Sequence, residues 1–188
     1  MMKTKIGVIS DLHLFNKTTN IERALTKLHG SDLVLIVGDI ADRTYERQYA
    51  IFLNLIGERL HDIPLYCVSG NHDNPARDDI NYRQFERKIN NEYPSIVDGC
   101  GAFYKYVNEH IDLIGLNPLY HQKQFFPNKG MQIDFLQKRL VASLCKYHIV
   151  MCHPPLIKRN PQRTADMASY IVLEQDTRLQ SILNKTKM

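Results

Sequence analysis

The sequence contains no tryptophan, no closely spaced pair of cysteines and no long apolar segment. Its four cysteines form no Cys-x-x-Cys pair, which argues against a zinc ribbon or a dithiol redox motif. We expect them to be reduced thiols. No stretch approaches the ~18–20 apolar residues that a membrane helix needs, and the apolar run near the N-terminus is too short for a signal peptide. The sequence therefore predicts a cytoplasmic protein without a membrane partner.

An excess of charge of one sign is also lacking. The formal net charge is +4, from 24 Lys and Arg against 20 Asp and Glu scattered over 188 residues. Such a charge is too weak to indicate a nucleic-acid or membrane surface, although it suits an anionic substrate. Basic and aromatic stretches are not interleaved, which argues against a nuclease. With 44% hydrophobic residues, the chain is long enough for one sizeable core, and we expect residues 1–188 to form a single domain.

The sequence does contain an alternation of short apolar runs and helical segments. Apolar runs predict buried strands at residues 5–10, 33–37, 65–68 and 147–152. Helical spacing predicts helices at residues 20–28, 44–60, 78–91, 131–144 and about 174–183, the first of them capped by Asn20. Segments 103–107 and 111–116 predict an antiparallel hairpin. Alternating strands and helices are typical of parallel βαβ units, and the hairpin implies a second, mixed sheet.

Each of the four apolar runs ends in side chains that can bind a metal. In chain order these are Asp11 and His13, then Asp39, then Asn71 and His72, then His153. Ligands bind outside the carboxyl ends of parallel strands, so these side chains can converge at one edge of a sheet. Carboxylates, imidazoles and an amide oxygen together suit manganese, iron, zinc or nickel rather than calcium. Asp39 stands alone after its glycine and is the natural bridge between two metals.

These motifs resemble those of a known family. Asp11-x-His13, Gly38-Asp39, Gly70-Asn71-His72-Asp73 and His153 look like the successive motifs of the calcineurin-like metallophosphoesterases, over residues 5 to about 155. The segment Cys152-His153-Pro154-Pro155 is similar to the corresponding segment in the branch of this family that contains bacterial cyclic-nucleotide phosphodiesterases. The resemblance implies an α/β fold, a four-layer αββα sandwich of two mixed β-sheets flanked by helices. It also implies hydrolysis of phosphate mono- or diesters at a dinuclear metal site, with a bridging hydroxide as the nucleophile.

The resemblance implies two divalent transition metals as cofactors, with manganese or iron expected and zinc or nickel as alternatives. The first metal would be held by Asp11, His13 and Asp39. The second would be held by Asp39, Asn71 and His153. Asp39 would therefore bridge the two metals.

The remaining implied roles concern a small phosphoester substrate. His72 would stabilise or protonate the leaving oxygen, and Asp73 would orient the His72 ring. Asn71 would bind the substrate by offsetting charge on its phosphoryl oxygens. Arg159, in the long loop after His153, is a further candidate for contact with the phosphate. Which phosphoester is bound, and in what oligomeric state, does not follow from these residues.

The family has one more motif, Gly-His-x-His, and this sequence contains no histidine after His153. In the family the two histidines of this motif complete the two metal spheres. We therefore expect a domain that is truncated at its C-terminus, or a member that works without the motif. The alternative is a catalytically impaired phosphoesterase fold that acts as a binding or scaffold module. The intact pair of His72 and Asp73 favours a hydrolase.

Overall fold

The structure, a computed structural model, describes residues 3–73, 80–92, 96–97, 101–117, 129–154 and 177–185. Arg159 lies outside these residues, so its predicted contact with a phosphate stays a prediction. No helix within the described ranges is long and apolar enough to cross a membrane.

The first sheet is built from the N-terminal strands. β1 (Ile6–Ile9), β2 (Leu33–Val37) and β3 (Leu65–Val68) pair in that order, and both pairings are parallel. α1 (Thr19–Lys27) connects β1 to β2, and α2 (Glu46–Arg59) connects β2 to β3. The predicted parallel βαβ units are therefore present.

The first helix does not begin as predicted. Thr18, rather than Asn20, is the residue before the first helical turn, and no side chain caps it. The Glu22 amide donates a hydrogen bond to the Thr18 carbonyl at 2.9 Å, which closes the first turn upstream of the predicted cap. Glu22 also places a negative charge near the positive end of the helix dipole. Asn20 consequently lies inside the helix.

The second sheet is mixed. It comprises β4 (Ile96–Val97), β5 (Phe103–Asn108), β6 (Ile111–Gly115) and β7 (Tyr147–Met151), paired in that order. The β4–β5 and β5–β6 pairings are antiparallel, and the β6–β7 pairing is parallel. The predicted hairpin is thus β5 and β6. β4 has two residues, too few to show a periodicity in the sequence.

Three apolar clusters separate four layers. α1, α2 and α3 (Ile80–Glu92) pack on the outer face of the first sheet. α4 (Lys129–Ala142) and α5 (Thr177–Lys185) pack on the outer face of the second sheet. Between the sheets lie Leu33, Leu35, Tyr66, Val68, Phe103, Leu113 and Met151. The predicted α/β sandwich of two sheets flanked by helices is confirmed, with the mixed pairing in the second sheet.

The loops that leave the carboxyl ends of the first sheet carry most of the predicted site. They are named here the β1 exit loop (residues 10–14), the β2 exit loop (residues 38–42) and the β3 exit loop (residues 69–73). β7 belongs to the other sheet but ends at the same edge of the sandwich. The contact of His153, just after β7, with the carbonyl of Val37 at the end of β2 shows that the two strand ends are adjacent.

Candidate metal centre

Backbone hydrogen bonds hold the β1 exit loop against the β2 exit loop. The Asp11 amide donates to the Gly38 carbonyl at 3.1 Å, and the His13 amide donates to the Asp39 carbonyl at 3.0 Å. Leu14, which is fully buried, anchors the end of the first loop in the helix-side core. The parallel pairing of β1 and β2 is thus extended into the loops, and it brings Asp11 and His13 next to Asp39.

The backbone at these three residues is strained. Asp11, His13 and Asp39 have φ angles of 54°, 43° and 54°, a region that residues with a side chain rarely occupy. Asp and His tolerate it better than most, yet each such residue costs on the order of 1–3 kcal/mol. Strain of this kind clusters at functional sites, because the surrounding structure must maintain it. Three candidate metal ligands therefore share a conformation that folding alone does not favour.

The Asp39 carboxylate lies at the centre of the group. Its side chain is only 4% exposed, and Oδ1 accepts a hydrogen bond from the His72 amide at 2.8 Å. Oδ2 lies 3.4 Å from His153 Nε2 and 3.7 Å from His13 Nε2. His153 Nε2 also lies 3.3 Å from Asn71 Oδ1. One carboxylate thus contacts groups from all the exit loops and from the end of β7.

Asp39 and His153 form an ion pair. Burial alone would raise the pKa of the Asp39 carboxyl, but the hydrogen bond and charge of His153 and the amide of His72 hold that pKa below its usual value. Burial alone would lower the pKa of His153. The hydrogen bond and charge of Asp39, with the carbonyl of Val37 and the charge of Asp11, instead raise the pKa of His153 to about 9. A proton on His153 therefore occupies a position that a cation could take.

Two glycines allow the loops to approach so closely. A Cβ at Gly38 would collide with the His153 ring and with the Gly70 backbone. A Cβ at Gly70 would collide with the Asp39 carboxylate and with the Asp39 amide. Any side chain at either position would therefore push the candidate ligands apart.

Two histidine rings are oriented in the same way. His153 Nδ1 lies 2.9 Å from the Val37 carbonyl, and His72 Nδ1 lies 2.9 Å from the Asp42 carbonyl. A carbonyl only accepts hydrogen bonds, so each Nδ1 carries the proton and the lone pair of the neutral ring is on Nε2. Histidines that bind metals usually donate their other ring N–H to a carbonyl or a carboxylate. In the neutral state, both rings can therefore bind a metal through the lone pair of Nε2.

Among the described residues, the candidate ligand atoms form two sets that share Asp39. One set contains His13, Asp39 and His72, the other contains Asp11, Asp39 and His153, and within each set the atoms all lie within 4.8 Å of one another. The resemblance placed Asp11 with His13 instead. The described structure thus brings all the predicted metal ligands together, but it groups Asp11 with His153.

Asp73 does not touch the His72 ring in the way that the resemblance implied. The Asp73 side chain is fully buried. Its carboxylate accepts hydrogen bonds from the amides of Ile40, Ala41 and Gly70 and from the hydroxyl of Tyr49. Burial raises the pKa of the Asp73 carboxyl, and the three amides act in the opposite direction. The contact with the His72 ring comes from the Asp42 carbonyl.

Sequence reasoning missed Asp42 and Tyr49. Asp42 Oδ1 lies 3.9 Å from His72 Nδ1 and 4.0 Å from His13 Nδ1, so its carboxylate faces both rings. The sequence signal was a second Asp three residues after Asp39, in the same loop. Tyr49 lies within α2, and nothing in the sequence indicated the bond of its hydroxyl to Asp73.

The chain is similar to proteins of known class. A model of the calcineurin-like phosphoesterase family matches residues 4–183. A probable glycerophosphodiester phosphodiesterase from Arcobacter nitrofigilis is 26% identical over 150 residues, which are 79% of this chain and 50% of that protein. The chain therefore spans about half the length of this curated relative. The crystal structure of a dimetal phosphatase from Danio rerio superposes with a TM-score of 0.69 and 12% identity, covering 97% of this chain and 77% of that one.

Proposed function

We propose that this chain, which belongs to the calcineurin-like phosphoesterase family, hydrolyses phosphate mono- or diesters at a two-metal centre built around Asp39. The observation that carries the proposal is that Asp39 belongs to both sets of candidate ligands. A carboxylate has two oxygens and can contact two cations at the ~3.5–4 Å separation of two-metal phosphoesterase sites. No other residue of either set is common to both.

The donor atoms fit divalent transition metals. His153 Nε2 lies 3.3 Å from Asn71 Oδ1 and 3.4 Å from Asp39 Oδ2. Ligand atoms that are each about 2.0–2.2 Å from one metal lie roughly 3 Å or slightly more apart, so these three could share a cation after small adjustments. The mixed nitrogen and oxygen donors favour manganese or iron, with zinc or nickel as alternatives. When bound, such metals supply Lewis acidity that lowers the pKa of a water nucleophile and offsets phosphoryl charge.

The remaining roles belong to the residues that face solvent. The side chains of His13 and His72 are 39% and 40% exposed, so a small phosphoester can reach them. With the Nδ1 proton held by the Asp42 carbonyl, a protonated His72 ring would give the leaving oxygen its proton from Nε2 and be left as the neutral ring with its lone pair there. Asn71, whose Oδ1 contacts His153, is proposed to contact the phosphoryl oxygens through its Nδ2. Arg159 stays a candidate for the same anion, and a cytoplasmic location stays part of the proposal.

A binding or scaffold module is the second candidate. One observation favours it: each set of candidate ligands found among the described residues contains three His or Asp residues, and the sequence lacks the family's Gly-His-x-His motif. Three protein ligands leave positions that water or substrate could fill, as in catalytic zinc sites, but they also bind a metal less tightly. Metal content and turnover separate the two candidates.

The deciding experiment measures metal content and turnover on the same preparation. The purified chain is analysed for bound metal by elemental analysis and is assayed with a generic aryl phosphodiester in the presence of Mn²⁺. We expect two metals per chain and turnover. Asp39→Asn should lose metal from both positions and lose turnover with it. The matched control is Asp62→Asn, at a side chain that is 85% exposed, which should retain both. A chain with neither tight metal nor turnover would support the scaffold module instead.

A further inference from the structure

The β2 and β3 exit loops are joined by an exchange of carboxylates. The Asp39 carboxylate of the β2 exit loop accepts a hydrogen bond from the His72 amide of the β3 exit loop. In return, the Asp73 carboxylate accepts hydrogen bonds from the Ile40 and Ala41 amides, each at 3.0 Å. Each loop thus donates backbone N–H groups to an acid of the other, and the exchange is named here the carboxylate clasp.

The Asp73 half of the clasp is completely enclosed. The side chain has no solvent exposure, and its Oδ2 also accepts the Gly70 amide at 3.0 Å. The hydroxyl of Tyr49 donates to Oδ1 at 3.1 Å. A buried carboxylate is costly unless it is hydrogen-bonded, and donors on both oxygens offset that cost. The carboxylate is therefore held in one position by groups from α2 and from both exit loops.

Successive backbone N–H groups that follow a residue with positive φ form a concave anion site, often called a nest. Asp39 has a φ of 54°, and the amides of the next two residues, Ile40 and Ala41, both point at the Asp73 carboxylate. The anion in this nest is thus a side chain of the protein itself. Its bonds stabilise the backbone conformation that Asp39 would not adopt readily on its own.

We propose that Asp73 is a positioning residue that sets metal affinity, because its carboxylate fills the nest after Asp39 and thereby fixes where the Asp39 carboxylate points. The inference rests on the proposed two-metal function. It assigns Asp73 to Asp39 rather than to the His72 ring, which Asp42 contacts instead. Since Asp39 belongs to both candidate ligand sets, a displaced Asp39 weakens both positions at once.

Asp73→Asn is the substitution that tests the clasp with the least change of shape. An Asn side chain has one acceptor oxygen and an NH₂ group that only donates. If its oxygen takes the place of Oδ1 and faces Ile40 and Ala41, its NH₂ group confronts the Gly70 amide. In the reverse orientation the oxygen faces the Gly70 and Ile40 amides, and the Ala41 amide loses its acceptor. Either orientation therefore breaks at least one hydrogen bond of the clasp.

The readout is the dissociation constant for Mn²⁺, measured by calorimetry well below the melting temperature of each variant, together with kcat at saturating Mn²⁺. We expect Asp73→Asn to weaken Mn²⁺ binding by on the order of 10–100-fold, as loss of a residue that supports metal ligands typically does. Excess Mn²⁺ should restore most of kcat. If Asp73 instead orients His72, affinity will be unchanged and kcat will stay low at saturating metal, which overturns the inference.

Two further variants keep the test decisive. Asp112→Asn changes another fully buried carboxylate, beside His148 at the far end of β7 from His153, and should leave Mn²⁺ affinity unchanged. An equal loss of affinity in Asp112→Asn would mean that general loosening, not the clasp, is responsible. If Asp73→Asn fails to fold, Tyr49→Phe removes one hydrogen bond from the clasp and should weaken Mn²⁺ binding about twofold to tenfold. Unchanged affinity in Tyr49→Phe would then overturn the inference.

The test also separates this inference from the proposed function. If the unmodified chain binds no Mn²⁺ and shows no turnover, the two-metal function fails. If the unmodified chain binds Mn²⁺ and Asp73→Asn binds it equally well, only the role of Asp73 fails.

Discussion

Strand β7 carries one histidine near its start and another just beyond its end. His148 Nδ1 lies 2.8 Å from Oδ1 of Asp112, on the neighbouring strand β6. His153 Nε2 lies 3.4 Å from Oδ2 of Asp39, which belongs to the other sheet. Each pair consists of an imidazole in contact with a buried aspartate, so the two contacts are chemically alike. Their surroundings differ.

The pair at the start of β7 is enclosed within one sheet. Asp112 and His148 are register partners in the β6–β7 ladder, and the neighbouring positions of both strands are occupied by sheet residues. Among the described residues, no third potential ligand joins this pair, and Asp112 Oδ2 has no hydrogen-bond partner. At the other end, loops from three strands add further ligands around Asp39. The comparison shows that a histidine next to an aspartate is not sufficient for a candidate metal site in this fold. Such a site also needs the further ligands that converge where several strands end.

The largest loss of turnover should come from substitution of His72, which belongs to neither pair. It lies in the β3 exit loop, close to the carboxyl end of β7, where the candidate ligands converge. We expect His72→Ala to reduce turnover by about 10²–10⁴-fold, the usual contribution of a positioned proton donor. Bound metal should not fall below one ion per chain, because the set of Asp11, Asp39 and His153 remains complete. Steady-state kinetics and elemental analysis of the same sample provide the measurement. Survival of turnover would show that the chemistry at this end of β7 does not use His72.

The next effect compares the two histidines directly. We expect His153→Gln to weaken metal binding by at least 10–100-fold, since removal of a direct ligand should cost no less than removal of a supporting residue. His148→Gln should leave metal stoichiometry unchanged and lower stability by about 1–3 kcal/mol, the cost of an imperfectly paired buried acceptor. Metal titration and denaturant unfolding of both variants test the contrast. Equal metal loss in both would remove the distinction between the two ends of β7.

The smallest effect concerns the metal-free chain at different pH values. Contact with Asp39 raises the pKa of His153 from 6.5 to about 9, so the folded state binds this proton more tightly than the unfolded state. The resulting stability is fully present below about pH 6.5 and is lost as the pH rises through about 9. The melting temperature of the metal-free chain should therefore fall over this interval.

The variants provide the control for this measurement. The part of the fall due to His153 should be missing in His153→Gln and retained in His148→Gln. An identical pH profile in the wild type and His153→Gln would show that the ion pair with Asp39 does not stabilise the fold.

Much of the fold could be predicted because its signals are local. The run Leu33–Val37 is apolar without interruption, as expected of a strand buried on both faces, and the structure has β2 at those residues. The convergence of Asp11, Asp39 and Asn71 followed from parallel pairing alone, since parallel strands end at one edge. β4 could not be predicted, because two residues carry no period.

The contacts of the site depend on distant parts of the chain and were less predictable. The resemblance implied that Asp73 meets the His72 ring, but consecutive residues of an irregular loop can point in different directions. Two of the partners of Asp73, the amides of Ile40 and Ala41, lie more than 30 positions earlier, in the β2 exit loop. The contact of Asp112 with His148 likewise depends on strand register. The individual roles of the site residues stay predictions until the variants are measured.

The positive φ angles at Asp11, His13 and Asp39 have a consequence for evolution and for engineering. Glycine adopts positive φ without steric cost, so a glycine at any of these positions would have less backbone strain than the residue present. Selection for stability alone would tend to replace these residues, because marginal stability makes such gains accessible. A requirement for metal ligands would then be needed to keep Asp and His at these positions. A laboratory search for heat-resistant variants would meet the same conflict and should exclude these three codons from randomisation.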